Sequence, residues 1–449
     1  MSDSTTGMND RIARALAAAR ETRCLEIGTG LLARLPEIFR GQFGDRPAGI
    51  VADGNTFAAA GRAVQAAFEE AGHRTVKPFI FEDPKLYAEY KYVEQLQPWA
   101  DAHDAIPIAV GSGTINDLTK LVAHRAGRPY LAVATAASMD GYTAFGSSIT
   151  YKGSKQTFDC PAPQAVVADL DVVRAAPPEL GAAGYGDLLA KVTAGADWIV
   201  ADALGIEPID ATAWELVQVP LRDALADPAG VRAGDVAAVG KLTEGLMMGG
   251  FAMQWTKTSR PASGAEHQFS HLWDMQNHTH EGKSPSHGFK VAVGTLAVAE
   301  MYQCLMGMPL DQLDIDRAVE AWPSPEEVEG TIGELLGDGE LAEKARVEMA
   351  AKAITPGVLR GRLETLRRVW PALRERLRAH LPAVEDLRAM LAAVGAPTAP
   401  EEIGISRERL RASYRQAYSI RRRFTVLDLA AQAGVFEDCL NRLDVARAT

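Results

Sequence analysis

An α/β domain built on a parallel sheet, followed by an all-helical second domain, is the fold this sequence predicts. Three observations predict it. Short apolar runs bounded by Gly, Asp or Pro alternate with helix-period segments as far as Leu170. From Pro177 onward strand signals fade, and long Ala-, Leu-, Glu- and Arg-rich segments take over. The chain is long enough, at 449 residues with 47% hydrophobic side chains, to fill two cores of ordinary size. The expected domains are residues 1–175 and 176–449, with ligands in the cleft between them.

Taken in order, the chain opens on a helix, and its first strand is AGIVAD, Ala48 to Asp53. A helix with small and apolar residues at helical spacing follows from Thr56 to Ala71, and then the strand RTVKPFIF. Strand, helix, strand in that order favours a parallel sheet with right-handed crossovers. Asp53, at the end of an early strand, is placed to bond a ribose hydroxyl of a dinucleotide, and also to cap the next helix.

The second unit is sharper. AIPIAV (105–110) reads as a buried strand, GSGTIND as a tight turn and LTKLVAHRAG as a helix closed by Gly127. Gly111 and Gly113 let the backbone approach a ligand, and amides at the helix N-terminus point at it, which makes a pyrophosphate cradle of Rossmann-like type. The pattern departs from G-x-G-x-x-G, because Asn116 stands where the third glycine would fall. The strand PYLAVAT then runs into AASMDGYTAFGSS, which carries Asp140 at a C-terminal strand edge, either a ligand contact or an ordinary D-G turn. QAVVADL ends the alternation.

The helical half opens on APPELGAAGYGDLLAKVTAGADWIVADAL, with Asp187 at the start of a helix and Lys191 one turn later. Two tracts, 358–380 and 407–434, are amphipathic with basic faces that read as solvated. The chemistry concentrates between Ser263 and Gly294, where five of the nine histidines fall. His267 and His271 stand four apart, on one face of a helix, and His287 precedes a new apolar run. Such a set is a candidate metal or proton-transfer centre, or a group of surface and cap histidines.

Net charge of −11 and a pI near 5.4 argue against nucleic acid or an anionic membrane as the main partner. The N-terminal stretch has no apolar signal region and no segment reaches membrane-spanning length, so a cytoplasmic protein is expected. Cys24, Cys160, Cys304 and Cys439 lie far apart without a C-x-x-C pair, which gives no disulfide framework and no thiolate zinc site.

Five motifs, GSGTINDLTK, TAASMDGY, GYGDLLAK, SGAEHQFSHLWD and SHGFKVAVG, stand in an order that resembles the sn-glycerol-1-phosphate dehydrogenases. That family shares a superfamily with glycerol dehydrogenase, iron-dependent alcohol dehydrogenases and dehydroquinate synthase. The match runs from about Asp53 to Gly294. The resemblance implies a metal held by Asp187, His267 and His287, with His271 as substrate contact and proton source. It implies Asp140 as a second substrate contact, beside Asp187 and Lys191. NAD or NADP would lie on the turn Gly111, Ser112, Gly113, Thr114, Ile115 and on the loop residues Thr135, Ala136 and Ser138. Lys191 stands where the iron enzymes carry a histidine ligand, so a three-ligand zinc-type site is expected, with nickel second and iron least favoured. Lys191 or Lys283 would hold the substrate phosphate.

The reaction so implied is reversible reduction of dihydroxyacetone phosphate to glycerol 1-phosphate by a homo-oligomer. A related polyol or polyol-phosphate dehydrogenase, a dehydroquinate synthase-like lyase and a non-catalytic nucleotide sensor are the alternatives. Two positions depart from the family pattern: Ala144 replaces a serine that contacts cofactor, and Phe289 replaces the acid of H-G-E.

Overall fold

The structure is a computed structural model and describes residues 2–152 and 154–448. By packing, the chain divides into two units. The first comprises residues 1–188, 211–261 and 393–395; the second comprises 189–210, 262–392 and 396–449. Residues 211–261, which follow the last strand in sequence, thus cluster with the first unit although they are helical.

The first unit holds a six-stranded parallel sheet. Its strands are β1 (Cys24–Gly28), β2 (Ala48–Asp53), β3 (Phe79–Phe81), β4 (Ile106–Gly111), β5 (Leu131–Ala134) and β8 (Ala165–Asp169), in the order β1-β8-β5-β4-β2-β3. β4, β5 and β8 are buried at every residue, as apolar runs covered on both faces must be. Leu35, Phe39, Val64 and Phe68, from helices beside the sheet, join Ile50, Ile108, Val133 and Val167 in one core. A separate antiparallel hairpin, β6 (Ser147–Tyr151) with β7 (Ser154–Phe158), extends the segment after Asp140.

Three details differ from the sequence expectation. β1 lies in the stretch assigned to a helical opening. The hairpin was not expected. RTVKPFIF pairs only through Phe79–Phe81 and an isolated bridge from Thr75 to Ala48, because Pro78 has no amide to give to a ladder.

Connectivity locates the ligand end of the sheet. From β2 the chain moves outward to β3, then returns to β4 on the other side of β2. Ligands of open α/β sheets bind outside the carboxyl ends of strands at such a reversal, and those ends here carry Asp53 and Gly111.

From Pro178 the described residues form helices and turns, with one isolated bridge between His280 and Lys283. The Pro356–His380 helix buries Leu359, Leu363, Leu366, Trp370, Leu373 and Leu377 at three- and four-residue spacing, and its arginines face outward or lie half-buried. In the Arg407–Ser419 helix, Arg409 bonds His278 and Gln276, Arg411 pairs with Asp444, and Arg415 with Glu437. None of the described helices is long and apolar enough to cross a membrane.

Candidate active site

The glycine turn is shaped as its sequence suggests. Ser112 has extended backbone and precedes the Gly113–Arg125 helix, whose first amides belong to Gly113, Thr114 and Ile115. Such amides have no partner within their own helix, and an anion satisfies them. A Cβ on Gly111 would stand 2.5 Å from the Ile115 side chain, so the turn closes only with glycine there. At the neighbouring strand end, the Thr135 amide donates to the Gly111 carbonyl at 3.2 Å, and the Tyr142 hydroxyl lies 2.9 Å from the Ala136 carbonyl. Thr135 and Ala136 are buried, and Ser138 is partly exposed. Asp53 forms a capping box with Thr56: its carboxylate accepts the Thr56 amide at 2.8 Å.

Three residues at the end of the same motif have a role that its sequence pattern does not reveal. Lys120 is 1% exposed, and its ammonium donates to the carbonyls of Gly141 (3.2 Å), Ala144 (2.9 Å) and Gly146 (2.9 Å). Asp117 takes the amide of Ser148 at 3.3 Å, and Asn116 donates to Gly141 at 3.4 Å. These three side chains hold the Asp140 loop against the glycine-turn helix. Ala144 takes part through its carbonyl, and Thr143 next to it donates to Met247 O at 2.7 Å. The amide of Asp140 in turn donates to the Asp187 carboxylate at 3.2 Å.

The histidine-rich stretch forms two packed helices, Ala265–Met275 and His287–Met306. A Cβ on Gly294 would fall 2.5 Å from the Glu266 carbonyl, so the backbones approach closely. Lys290, 3% exposed, pairs with Asp274 across the same interface. Asp197 fixes the start of the first helix: its carboxylate accepts the Ala265 amide at 2.8 Å, and also the Tyr302 hydroxyl and the Val426 amide. The Ser286 hydroxyl caps the second helix at Phe289.

Three imidazoles converge as a result. Ring centroids are 5.3 Å apart for His267 and His287, 6.3 Å for His267 and His271, and 6.1 Å for His271 and His287. Donor atoms of Asp187, His267 and His287 all lie within 4.8 Å of one another. Asp187, expected at a helix start, lies instead inside the continuous Pro178–Ala203 helix and is fully buried, as is Lys191 one turn along; His267 is 6% exposed. One carboxylate and two imidazoles are the donor types of open catalytic sites for zinc-like ions. The ring nitrogens fit that use. Nδ1 of His267 lies 2.8 Å from Glu266 Oε1 and Nδ1 of His287 lies 3.2 Å from Ser270 Oγ, which leaves Nε2 of each as the nitrogen for an ion. Burial alone would push the Glu266 carboxyl up, but bonds from His267 and the Gly264 amide hold it below the usual carboxylate range.

The other two histidines of the stretch are structural. His278 is buried and bonds the Ile403 carbonyl and Arg409, and His280 packs against Gly404. Lys283 is exposed in the turn between the two helices.

Along the whole chain the sequence is similar to glycerol-1-phosphate dehydrogenase [NAD(P)+] of Geobacillus stearothermophilus, 31% identical over 435 residues, which cover 94% of this chain and 98% of that protein. The chain belongs to the glycerol-1-phosphate dehydrogenase family. The protein of the same description from Halalkalibacterium halodurans is 34% identical over 309 residues, covering 66% of this chain and 77% of its own. Residues 26–177 match the iron-containing alcohol dehydrogenase family, so the α/β part carries the wider superfamily signature. Two solved structures share the fold: a probable glycerol dehydrogenase from Sinorhizobium meliloti 1021 (TM-score 0.60, 16% identity, 95% and 98% of the two chains) and glycerol dehydrogenase from Schizosaccharomyces pombe (TM-score 0.60, 17% identity, 95% and 92%).

Proposed function

We propose that the protein catalyses the reversible reduction of dihydroxyacetone phosphate to sn-glycerol 1-phosphate with NAD or NADP and one divalent metal ion. The observation that carries this reading is the convergence of Asp187 and His267, both buried, with the partly exposed His287, and with His271 as the neighbouring ring. Zinc is favoured over nickel and iron, because a lysine stands one turn after Asp187 and an ammonium cannot serve as a fourth ligand. When bound, the nicotinamide supplies the hydride and the ion supplies a Lewis acid for the ketone oxygen.

The chain's own residues do the rest. Asp187, His267 and His287 hold the ion. The amides of Gly113, Thr114 and Ile115 receive the pyrophosphate, with Gly111 and Ser112 shaping the approach and Thr135, Ala136 and Ser138 lining the neighbouring strand end. Asp53 bonds a ribose hydroxyl through the oxygen that its helix cap leaves over; a carboxylate there disfavours a 2′-phosphate, so NAD is the better partner. His271, or a water it orients, delivers a proton to the oxygen at carbon 2 as the hydride arrives, since an imidazole exchanges protons near neutral pH. Asp140 orients the substrate hydroxyls beside Asp187, and Lys191 meets the phosphate charge. The family resemblance also supports a cytoplasmic homo-oligomer.

The test is oxidation of NADH or NADPH by dihydroxyacetone phosphate, compared with free dihydroxyacetone, before and after stripping with a chelator and reloading with Zn²⁺, Ni²⁺ or Fe²⁺. Metal-dependent turnover selective for the phosphorylated ketone is expected. Equal rates on the free ketone would transfer the reading to a polyol dehydrogenase, and survival of activity in His267→Ala would overturn the ligand set.

A further inference from the structure

Glu266 makes more of the site than its place in the sequence suggests. Successive residues of a helix point about 100° apart, so Glu266 and His267 do not face each other by default. Yet Glu266 is fully buried and its Oε1 accepts from Nδ1 of His267 at 2.8 Å. The same oxygen takes the Gly264 amide at 2.6 Å, and Oε2 takes the Thr193 hydroxyl at 2.9 Å. An interior carboxylate is costly unless bonded on all sides, and these three donors supply the bonding. The geometry is therefore built around the charge and aims it at one imidazole.

We propose that Glu266 is the positioning residue of the metal centre: its carboxylate locks His267 as the Nδ1–H tautomer and strengthens Nε2 as a donor. The inference rests on the reading of Asp187, His267 and His287 as the ligand set. Neutral imidazole exists as two tautomers, and only the one protonated at Nδ1 offers Nε2 to an ion. A carboxylate accepting that proton selects the tautomer, fixes the ring plane and feeds negative charge into the ring. Ser270 plays the corresponding part for His287 with a neutral hydroxyl at 3.2 Å, so the two ligands are supported unequally. Thr193 and Gly264 act one step further out, by holding the carboxylate.

Glu266→Gln separates charge from shape. The amide oxygen still accepts from Nδ1–H, and the amide nitrogen still meets the Thr193 hydroxyl. Zn²⁺ affinity of metal-stripped protein, measured by competition with a chromogenic chelator, is expected to fall by about 10–100-fold. Ser270→Ala should lose less. The visible bands of Co²⁺-loaded E266Q should shift relative to the parent, while the melting temperature of the metal-free protein stays close to it; a merely structural residue would give the opposite pair of results. If E266Q does not fold, Thr193→Val loosens the same carboxylate and should still weaken Zn²⁺ several-fold. Unchanged Zn²⁺ affinity in E266Q, or in T193V where that variant carries the test, alongside lost binding in His267→Ala, overturns the role of Glu266 and leaves the ligand set standing. Unchanged affinity in His267→Ala overturns the ligand set itself.

Discussion

A Cβ placed on Gly184 would stand 1.9 Å from the carbonyl oxygen of Ala137. The helix that carries Asp187 therefore lies directly on the loop Thr135–Ser138, with no room for even a methyl group. Gly184→Ala must push helix and loop apart, and overpacking of this kind costs about 1–3 kcal/mol. Because the displaced carbonyl belongs to the proposed cofactor loop, NADH affinity should fall together with stability. Fluorescence titration of NADH and a melting curve check this; a variant with parental NADH affinity would separate the loop from cofactor binding.

Lys120 gives a second prediction. Its ammonium is the shared donor of three buried-loop carbonyls, Gly141, Ala144 and Gly146. Lys120→Met keeps the aliphatic stem and removes the donors; Gly141 retains Asn116 as a donor, but the Ala144 and Gly146 carbonyls lose theirs, at about 1–3 kcal/mol each. A loss of at least about 2 kcal/mol in urea unfolding is expected on the same grounds. Where the variant folds, KM for the ketone should rise, since Asp140 sits on the loop that has been released.

The contacts of these two residues are not legible in the sequence, whereas most of the sheet is. β4, β5 and β8 announced themselves because strands buried on both faces must be continuous apolar runs. β1 did not: CLEIG is half-exposed with Glu26 in its middle, and a short edge strand needs no such run. The hairpin SSITY and SKQTF is mostly polar and gave no period-2 pattern to read. At the site, His267 and His271 stand out by their four-residue spacing on one helix face, whereas His287 and Asp187 join them in the sequence only through the family resemblance. Glu266, Ser270 and Lys120 do not stand out, because their roles depend on rotamer and on backbone carbonyls brought near by the fold. Lys120 bonds a loop more than twenty residues away, a relation that no local spacing encodes.

Acid stability should depend on Glu348. The Arg422 side chain and amide all donate to its carboxylate, through Nε at 2.8 Å, the backbone nitrogen at 2.9 Å and Nη2 at 3.3 Å. Burial raises the carboxyl, but Arg422 outweighs it and holds the group below its usual value of 4.5. A carboxyl depressed in the folded state binds fewer protons than in the unfolded chain, so its contribution is complete above the unfolded value and is lost as pH falls through the folded one. Glu348→Gln should accordingly lower the melting temperature at neutral pH, and the gap to the parent should close as the pH drops below about 4.5. A gap that stays constant into acid would show that the ion pair contributes nothing.

Thiol reactivity should single out Cys304. Its neighbour is Cys439; the interaction between the two thiols, with help from Arg442 and against the opposing effect of burial, brings Cys304 down to about 7. Burial pushes Cys24 up to about 11 and Cys160 to about 12, while the hydrogen bond to Cys304 and burial together push Cys439 far up. Cys304 also borders a cavity of about 530 Å³ that Arg388, Arg407 and Arg442 help to line, so a small reagent can reach it. The thiolate is the nucleophile, and its fraction sets the rate at a given pH. Iodoacetamide at neutral pH should therefore modify Cys304 first, with a rate that rises through about 7. Cys439→Ala removes the interaction between the thiols, and the midpoint of that rise should move upward. Peptide mass spectrometry across a pH series reads both outcomes; an unmoved midpoint would mean that Arg442, and not Cys439, sets the reactivity of this thiol.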